Sequence, residues 1–337
     1  MNRRLSVAPM MDWSDRHCRM FWRQLTRQSL LYTEMVTTGA ILHAGPDRFL
    51  TFDQGEHPIA LQLGGSNPQD LAKCAKIAED WHFDEVNLNC GCPSDRVQSG
   101  MFGACLMAHP QLVADCIKAM QDSCSLPVTV KHRIGIDDME SYGEMVDFIR
   151  PIMDSGCSTF IVHARKAWLQ GLSPKQNREI PPLNYDMVYQ LKQDFPQLEV
   201  IINGGITDLE QSVDHLKQID GVMLGRAAYH DPYILAEADN KIFADGSITK
   251  SREQVLLDFI PYIEEQLTLG VPLNHISRHV LGLFQGVAGA KIFRRHISQQ
   301  AHIKGAGIEV IEQALTLMNE ARQRSDEYQN QKATQSP

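Results

Sequence analysis

The turn Asn89-Cys90-Gly91-Cys92-Pro93 offers a candidate for proton transfer, because it places a thiol just after a short β-rich run. Pro93 restricts the backbone next to Cys92 and so helps to hold that thiol in place. An ordinary cysteine, with a pKa of about 8.5, is mostly protonated at neutral pH and can act as a general acid. Cys105 is the rival thiol. Packing at an expected helix start is the simpler explanation for it, but the spacing of the residues does not exclude it as the acid.

Polar side chains also follow the other β-rich runs, and in a parallel barrel all such positions meet at one face. Two glycine-containing turns, Asn203-Gly204-Gly205 and Gly225-Arg226, follow the last two runs, where barrels often bind phosphate through backbone N–H groups. The alternative is that these glycines only make tight turns. Together with Gln62, Lys131 and His163, they predict a phosphate-bearing flavin, FMN, because a lysine can stabilise negative charge near flavin N1.

Eight β-rich runs alternate with helix-length segments and define the framework that positions these residues. Strand, helix, strand repetition predicts parallel pairing with right-handed crossovers, and eight units favour a closed barrel. We therefore predict an α/β protein, a (β/α)₈ TIM barrel with a C-terminal helical bundle. The runs are Leu5–Met10, Leu30–Val36, Ile59–Gly65, Glu85–Gly91, Pro127–Gly135, Thr159–Arg165, Glu199–Ile206 and Gly221–Ala227.

The pattern changes after Tyr229, where the β-rich runs stop. Ser251-Arg252-Glu253-Gln254 resembles a capping box that opens a helix to about Leu269, and further helices are expected near 275–284, 288–302 and 307–323. We predict a catalytic barrel over residues 1–244, a helical domain over 245–324 and a disordered polar tail over 325–337.

Composition limits the class of protein. A chain of 337 residues with 43% hydrophobic and 22% charged residues can bury a large core. With a strand expected almost at the first residue and no apolar run of membrane-spanning length, we expect a cytoplasmic protein with reduced thiols and no membrane partner. The cysteine spacing lacks a zinc pattern, so no metal is expected.

The net charge of −9 argues against general nucleic-acid binding, yet two stretches hold basic residues and no acidic ones. Residues 165–178 include Lys175 and Arg178, and residues 266–308 include Lys291, Arg294 and Arg295, spaced to share one helical face. The ordinary interpretation is a solvated helix face. Two such stretches also suit a polyanion contacted through its phosphates, and Trp168 could stack on an unpaired base.

These motifs together resemble the tRNA-dihydrouridine synthases, and among them the A-type members that act on U20 and U20a of the D-loop. The resemblance covers residues from about 6 to at least 295. It rests on Ser6–Trp13, Thr33–Met35, Leu61–Gly65, Asn87–Ser94, Val130–Arg133, His163–Trp168, Asn203–Ile206 and Gly225-Arg226.

The resemblance implies roles for named residues. Cys92 would be the proton donor, and the tRNA would be contacted by Asn89, Lys175, Arg178, Lys291, Arg294 and Arg295. FMN would be bound by Pro9, Met10, Met11, Gln62, Lys131, His163, Asn203, Gly204, Gly205, Gly225 and Arg226.

The implied reaction begins with reduction of FMN by NADPH, with NADH as the alternative. Hydride then passes to C6 of a uracil flipped out of the tRNA, and Cys92 protonates C5. We expect a monomer. One rival is an FMN barrel that reduces a free pyrimidine, which would have no use for the basic helix at 291–295. A second is a catalytically silent RNA-binding barrel, which would have lost its flavin contacts.

Overall fold

A closed barrel of eight parallel strands, paired in sequence order, forms the body of the protein in a computed structural model that describes residues 1–94 and 100–334. This confirms the predicted TIM barrel. Five of the eight strands end two or three residues earlier than predicted, and polar residues such as Lys131, His163 and Asn203 lie at or near the strand ends. The strands are β1 (Leu5–Val7), β2 (Leu30–Thr37), β3 (Ile59–Gly64), β4 (Glu85–Cys90), β5 (Val128–Arg133), β6 (Thr159–His163), β7 (Glu199–Asn203) and β8 (Gly221–Leu224).

Helices cover the outside of the barrel, and their starts follow from local capping. Asn67 accepts a hydrogen bond from the Asp70 N–H ahead of Pro68, and Ser141 forms a capping box with Glu144. The helices of the barrel region are α1 (Arg16–Arg23), α2 (Thr38–Ala44), α3 (Asp47–Leu50), α4 (Pro68–Asp80), α5 (Pro110–Ser123), α6 (Tyr142–Asp154), α7 (Tyr185–Asp194), α8 (Leu209–His215), α9 (Arg226–His230) and α10 (Ala238–Lys241).

The inside of the barrel holds a small apolar cluster separate from the larger core between strands and helices. It consists of Ala8, Leu30, Tyr32, Ala60, Ile161, Ile201 and Met223. Below this cluster, at the amino ends of the strands, the Arg3 Nε atom donates to Glu85 at 2.7 Å and its Nη1 atom donates to Glu199 at 2.7 Å. Burial opposes the charge on Arg3, but the two carboxylates raise its pKa. Ion pairing therefore stabilises the closed lower end of the barrel.

The C-terminal region is helical, as predicted, with α11 (Arg252–Thr268), α12 (Leu273–Ser277), α13 (Ala290–Gln300) and α14 (Glu309–Thr334). The helix expected near 275–284 ends at Ser277 instead. The prediction of a disordered tail over 325–337 also needs correction, because α14 continues to Thr334; residues 335–337 lie outside the described part. Glutamine, glutamate and lysine are good helix formers, so a polar segment can extend a packed helix.

The helical region docks on α1 of the barrel. Phe21 packs on Phe259 with ring centroids 5.4 Å apart, and His17 Nδ1 lies 2.8 Å from the Tyr262 hydroxyl. Asp15 caps α1 by accepting from the Cys18 N–H, and its Oδ2 atom also lies 2.5 Å from Arg278 Nη2. One carboxylate thus holds both the start of α1 and the helical region.

The same carboxylate contacts His279. Its Oδ2 atom lies 3.1 Å from His279 Nε2. Burial alone would raise the pKa of Asp15, but the contacts with His279, the Cys18 N–H and Arg278 hold that pKa well below its usual value. Asp15 is therefore expected to stay ionised at low pH in the folded protein.

Replacing Asp15 with alanine should lower the free energy of unfolding by about 2 to 4 kcal/mol at pH 7, because a helix cap and a buried acceptor are lost together. The folded-state pKa lies below the unfolded value of about 4, so this contribution is present above that pH and is lost as the pH falls. Urea denaturation at several pH values measures both effects.

Asp214→Ala, which removes an exposed pair with Lys217, is the matched control and should leave the midpoint unchanged. A stability difference for Asp15→Ala that grows as the pH falls below 4 would contradict the assignment.

Candidate active site at the carboxyl ends of the strands

Asn89, near the end of β4, holds the thiol turn in place. Its Oδ1 atom accepts hydrogen bonds from the Gly91 N–H at 3.0 Å and the Cys92 N–H at 2.9 Å. The Cys92 carbonyl in turn accepts from the Ala104 N–H at 2.9 Å. The half-buried thiol of Cys92 lies 3.6 Å from the Ser94 hydroxyl. The turn is therefore fixed on both sides of Cys92.

Cys92 interacts electrostatically with three basic side chains, Lys131, Arg133 and Arg178. A thiolate there would raise the pKa of Lys131, Arg133 and Arg178, although deep burial of Lys131 and Arg133 and partial desolvation of the more exposed Arg178 lower these pKa values. The net values are about 7 for Lys131 and about 10 for Arg133. Arg133 is also tied to the turn, because its Nε atom donates to the Gly91 carbonyl at 2.8 Å. Negative charge that develops at Cys92 would be stabilised by these cations.

Cys105 has different surroundings. Its thiol contacts the Phe102 carbonyl at 3.1 Å, within the 3-10 turn Gly103–Ala108. Burial raises its pKa, and the opposing contributions come from backbone N–H groups of residues 105 and 106, not from a cation of the described chain. The physical environments of the two thiols therefore favour Cys92, a distinction that sequence spacing left open.

Lys131, Asn203 and His163 meet at the ends of β5, β7 and β6. The Lys131 ammonium donates to Asn203 Oδ1 at 3.1 Å, and Asn203 Nδ2 donates to the Met223 carbonyl at 2.7 Å. Burial and the neighbouring cations, including Arg133 and Lys131, keep the pKa of His163 well below its usual value, so the ring is neutral at pH 7. The predicted cofactor residues of these strands are thus brought together.

The glycines after β7 and β8 leave room close to these side chains. Gly204 and Gly205 have φ angles of 115° and 73°, and a Cβ atom on Gly204 would lie 2.6 Å from the His163 ring. Gly225 opens onto empty space, with no side-chain cap on the turn that follows it. Backbone N–H groups in such a glycine-lined cradle suit a phosphate. Arg226 lies beside it and pairs with Glu179 at 2.7 Å.

The remaining predicted flavin contacts lie on β3 and in the loop after β1. Gln62 is buried, and its amide bonds to Asn87 and Asn89, both at 2.8 Å. Met10 packs against the apolar cluster inside the barrel, and Met11 is exposed. Pro9 directly precedes them and is half-buried. An amide and two thioethers therefore border the same mouth as Lys131, a combination suited to the polar edge and apolar face of a flavin.

The long loop after β6 is organised by Asn177, which sequence analysis missed. Its side chain accepts from the Trp168 N–H at 2.8 Å and donates to the Trp168 and Leu172 carbonyls, while its own carbonyl accepts from Arg133. Arg133 thereby links this loop to the Cys92 turn. Arg133 lies in the motif Val130–Arg133, but nothing in the sequence signals Asn177.

The predicted RNA-contacting residues are solvent-facing for the most part. Lys175 and Arg178 are exposed on the loop after β6. On α13, Lys291 and Arg295 are exposed, Arg294 is half-buried, and the opposite side of the helix buries Phe293 and Ile297. Trp168 has one face covered, because the Lys166 ammonium lies 4.1 Å from the ring centroid. A base could therefore stack only on its other face.

Within residues 1–94 and 100–334, no group of three His, Cys, Asp or Glu side chains is arranged to hold a metal ion. Among the helices of that same described part, none combines the length and apolar character required to cross a membrane.

Comparison with known proteins finds one family over most of the chain. Residues 6–319 match the family described as dihydrouridine synthase. Proteins named tRNA-dihydrouridine(20/20a) synthase are similar over nearly their whole length. The relative from Vibrio vulnificus is 60% identical, covering 93% of this chain and 96% of its own; the one from Escherichia coli O6:H1 is 59% identical, covering 95% and 96%. The relative from Shewanella oneidensis is 59% identical over 93% of each chain.

Replacing Asn177 with alanine should loosen the loop after β6 without unfolding the barrel. The variant loses three side-chain hydrogen bonds of about 1 kcal/mol each, so trypsin should cleave after Lys175 at least about tenfold faster. Urea denaturation should give nearly the wild-type midpoint.

Asn67→Ala, which removes an asparagine hydrogen bond at the start of α4, is the matched control. It should leave the cleavage rate after Lys175 unchanged. Equal acceleration in both variants would mean that the loop opens only through global unfolding.

Proposed function

Because the chain belongs to the dihydrouridine synthase family, we propose that it reduces uridine to 5,6-dihydrouridine at positions 20 and 20a of the tRNA D-loop. The observation that carries this proposal is the Cys92 turn at the mouth of the barrel, which is fixed by Asn89 and tied to Arg133 through the Gly91 carbonyl. A small pyrimidine would need the same thiol, but it would have no use for the exposed cations of α13.

FMN is the proposed cofactor, because the donor set at the mouth fits its parts. The cradle of Gly204, Gly205 and Gly225, with Arg226, suits the phosphate. Lys131, Asn203, His163 and Gln62 offer donors for the polar edges of the ring, and Pro9, Met10 and Met11 offer apolar surface. When bound, FMN supplies the hydride for uracil C6, with NADPH as the proposed reductant.

Lys131 would hold positive charge at the flavin edge. Burial brings its pKa to about 7, and anionic charge developing nearby would favour the protonated form. The hydrogen bond to Asn203 directs the ammonium group while leaving hydrogens to donate. Lys131 therefore stabilises the charge that reduction creates.

Cys92 would deliver the proton to uracil C5. Its S–H bond breaks as a C–H bond forms at C5, and the thiolate that remains is stabilised by Lys131, Arg133 and Arg178. Asn89 fixes the Cys92 N–H and can offer its own amide hydrogen to the base. Addition of one hydride and one proton across the C5=C6 bond completes the reduction.

The tRNA would be held at two surfaces. Lys175 and Arg178 lie on the loop that borders the mouth, and Lys291, Arg294 and Arg295 lie on α13. Contacts to phosphates from these cations would orient the RNA, and the uncovered face of Trp168 could stack on a base. The barrel, residues 1–244, is thus the proposed catalytic domain, and residues 245–324 are the proposed RNA-binding domain of a cytoplasmic monomer.

Replacing Cys92 with alanine should leave flavin binding and NADPH oxidation intact. Dihydrouridine formation should fall by about 10² to 10⁴-fold, the usual contribution of a general acid. Single-turnover assays with tRNA and mass spectrometry of nucleosides measure the product. Cys105→Ala is the matched control and should stay within a few fold of wild type. The acid is misassigned if Cys105→Ala is the impaired variant and Cys92→Ala is not.

Replacing Lys131 with methionine should make the bound flavin harder to reduce. Loss of one hydrogen bond to a charged group, about 1.5 to 3 kcal/mol, lowers a two-electron midpoint potential by about 30 to 60 mV. Dye equilibration measures the potential, and Lys217→Met on the outer surface is the control. An unchanged potential would remove Lys131 from the flavin edge.

A further inference from the structure

Four buried polar side chains inside the barrel form one continuous hydrogen-bonded series, which we call the inner amide chain. It consists of Thr129, Asn87, Gln62 and Asn89, each less than a tenth exposed. Gln62, Asn87 and Thr129 are register neighbours on the adjacent strands β3, β4 and β5, so the series spans three strands within one layer before it rises to Asn89. The inner amide chain connects the ion pairs of Arg3 with Glu85 and Glu199 to the Cys92 turn.

At the lower end of the inner amide chain, the Thr129 hydroxyl is the donor and the Glu85 carboxylate is the acceptor. Glu85 accepts from Arg3 at 2.7 Å, from the Tyr32 hydroxyl at 2.6 Å and from the Thr129 hydroxyl at 2.7 Å. A carboxylate paired with a guanidinium can only accept, and a threonine hydroxyl has one hydrogen. Thr129 must therefore donate downward to Glu85 and accept from above.

The direction of this first hydrogen bond determines the direction of each bond above it. Asn87 Nδ2 donates to the Thr129 hydroxyl at 2.8 Å, which places Asn87 Oδ1 toward Gln62 Nε2, also at 2.8 Å. Gln62 Oε1 is thereby left to accept from Asn89 Nδ2 at 2.8 Å. Each amide has its oxygen and nitrogen assigned by hydrogen count.

The hydrogen bonds at the upper end of the inner amide chain independently require the same orientation of the Asn89 and Gln62 amides. Asn89 Oδ1 accepts from the backbone N–H groups of Gly91 and Cys92, which can only donate. Asn89 must therefore present Nδ2 to Gln62, and Gln62 must present Oε1. The two ends agree on one orientation for every amide between them.

We propose that Thr129 and Asn87 are positioning residues, which transmit the polarity set by Glu85 to Gln62 and Asn89. The inference rests on the proposed function, because it concerns how these two amides meet the flavin and the substrate. In this orientation, Gln62 Nε2 and Asn89 Nδ2 each keep one N–H hydrogen that can be donated to the flavin or the substrate. Without the Thr129 hydroxyl, Asn87 loses the acceptor that orients its amide. A reversed Asn87 would place its Nδ2 atom against Gln62 Nε2, two donors facing each other, and would loosen the hold on the Cys92 turn.

The test uses Thr129→Val, which removes the hydroxyl with little change of shape. Thr129→Ser restores the hydroxyl. Thr159→Val is the matched control, since Thr159 is a buried strand threonine that donates to Glu199 at 3.0 Å but does not contact the inner amide chain. Thermal melting of all three variants separates effects on stability from effects on the site.

Two readouts are measured, neither of which requires turnover. In flavin-free protein, the rate of Cys92 alkylation by iodoacetamide, followed by mass spectrometry of the Cys92 peptide, should rise at least threefold in Thr129→Val. In the protein reconstituted with FMN, the flavin dissociation constant should rise about tenfold, the loss expected when one amide hydrogen bond is misoriented. Thr129→Ser and Thr159→Val should match wild type in both.

The proposal is overturned if Thr129→Val alkylates Cys92 at the wild-type rate, or if Thr159→Val changes the two readouts equally. A wild-type protein that binds FMN yet leaves tRNA uridine unreduced would refute the proposed function while leaving these comparisons valid. Because the alkylation assay is done without flavin, it decides the positioning role even if FMN is the wrong cofactor.

Discussion

The buried carboxylate of Glu85 is the interaction on which much of the barrel interior depends. A charge with no exposed surface is tolerated only when it is paired and hydrogen-bonded, and Glu85 has Arg3, Tyr32 and Thr129 as partners. Glu85 also determines the direction of the hydrogen bonds above it. Because it can only accept, it orders the polar groups above it, up to the amide that holds Cys92. An ion pair at the closed end of the barrel is thus connected, through side chains alone, to chemistry at the open end.

The open end has the opposite electrostatic character. Lys131, Arg133 and His163 lie at the ends of β5 and β6 there, and burial together with nearby arginine and lysine side chains lowers their pKa values. Such a cluster costs stability unless anions enter it. A phosphate, an anionic flavin edge and a transient thiolate are anions of this kind. Under the proposed function, the residues whose clustering costs stability are therefore those that would bind an anionic cofactor.

Sequence patterns predicted what depends on local or repeating features. The eight strands, the helix Arg252–Thr268 and the Gly204-Gly205 turn follow from periodicity, capping and glycine's freedom at positive φ. The choice between Cys92 and Cys105 could not follow in this way, because it depends on Arg178, which lies far along the chain and is brought near by the loop after β6. Asn177 and Thr129 were missed for the same reason, since their hydrogen-bond partners are defined only by the tertiary fold. The helix that continues to Thr334 shows the converse error, in which polar composition was taken for disorder.

The loop after β6 explains how a chain of net charge −9 can present cations beside the Cys92 turn. Arg133 binds the loop through the Asn177 carbonyl and binds the thiol turn through the Gly91 carbonyl. One buried guanidinium therefore fixes the distance between the exposed cations of the loop and Cys92. Backbone carbonyls, unlike carboxylates, satisfy its donors without cancelling its charge. The loop can thus be anchored rigidly while the mouth of the barrel stays positive, which an acidic anchor would not allow.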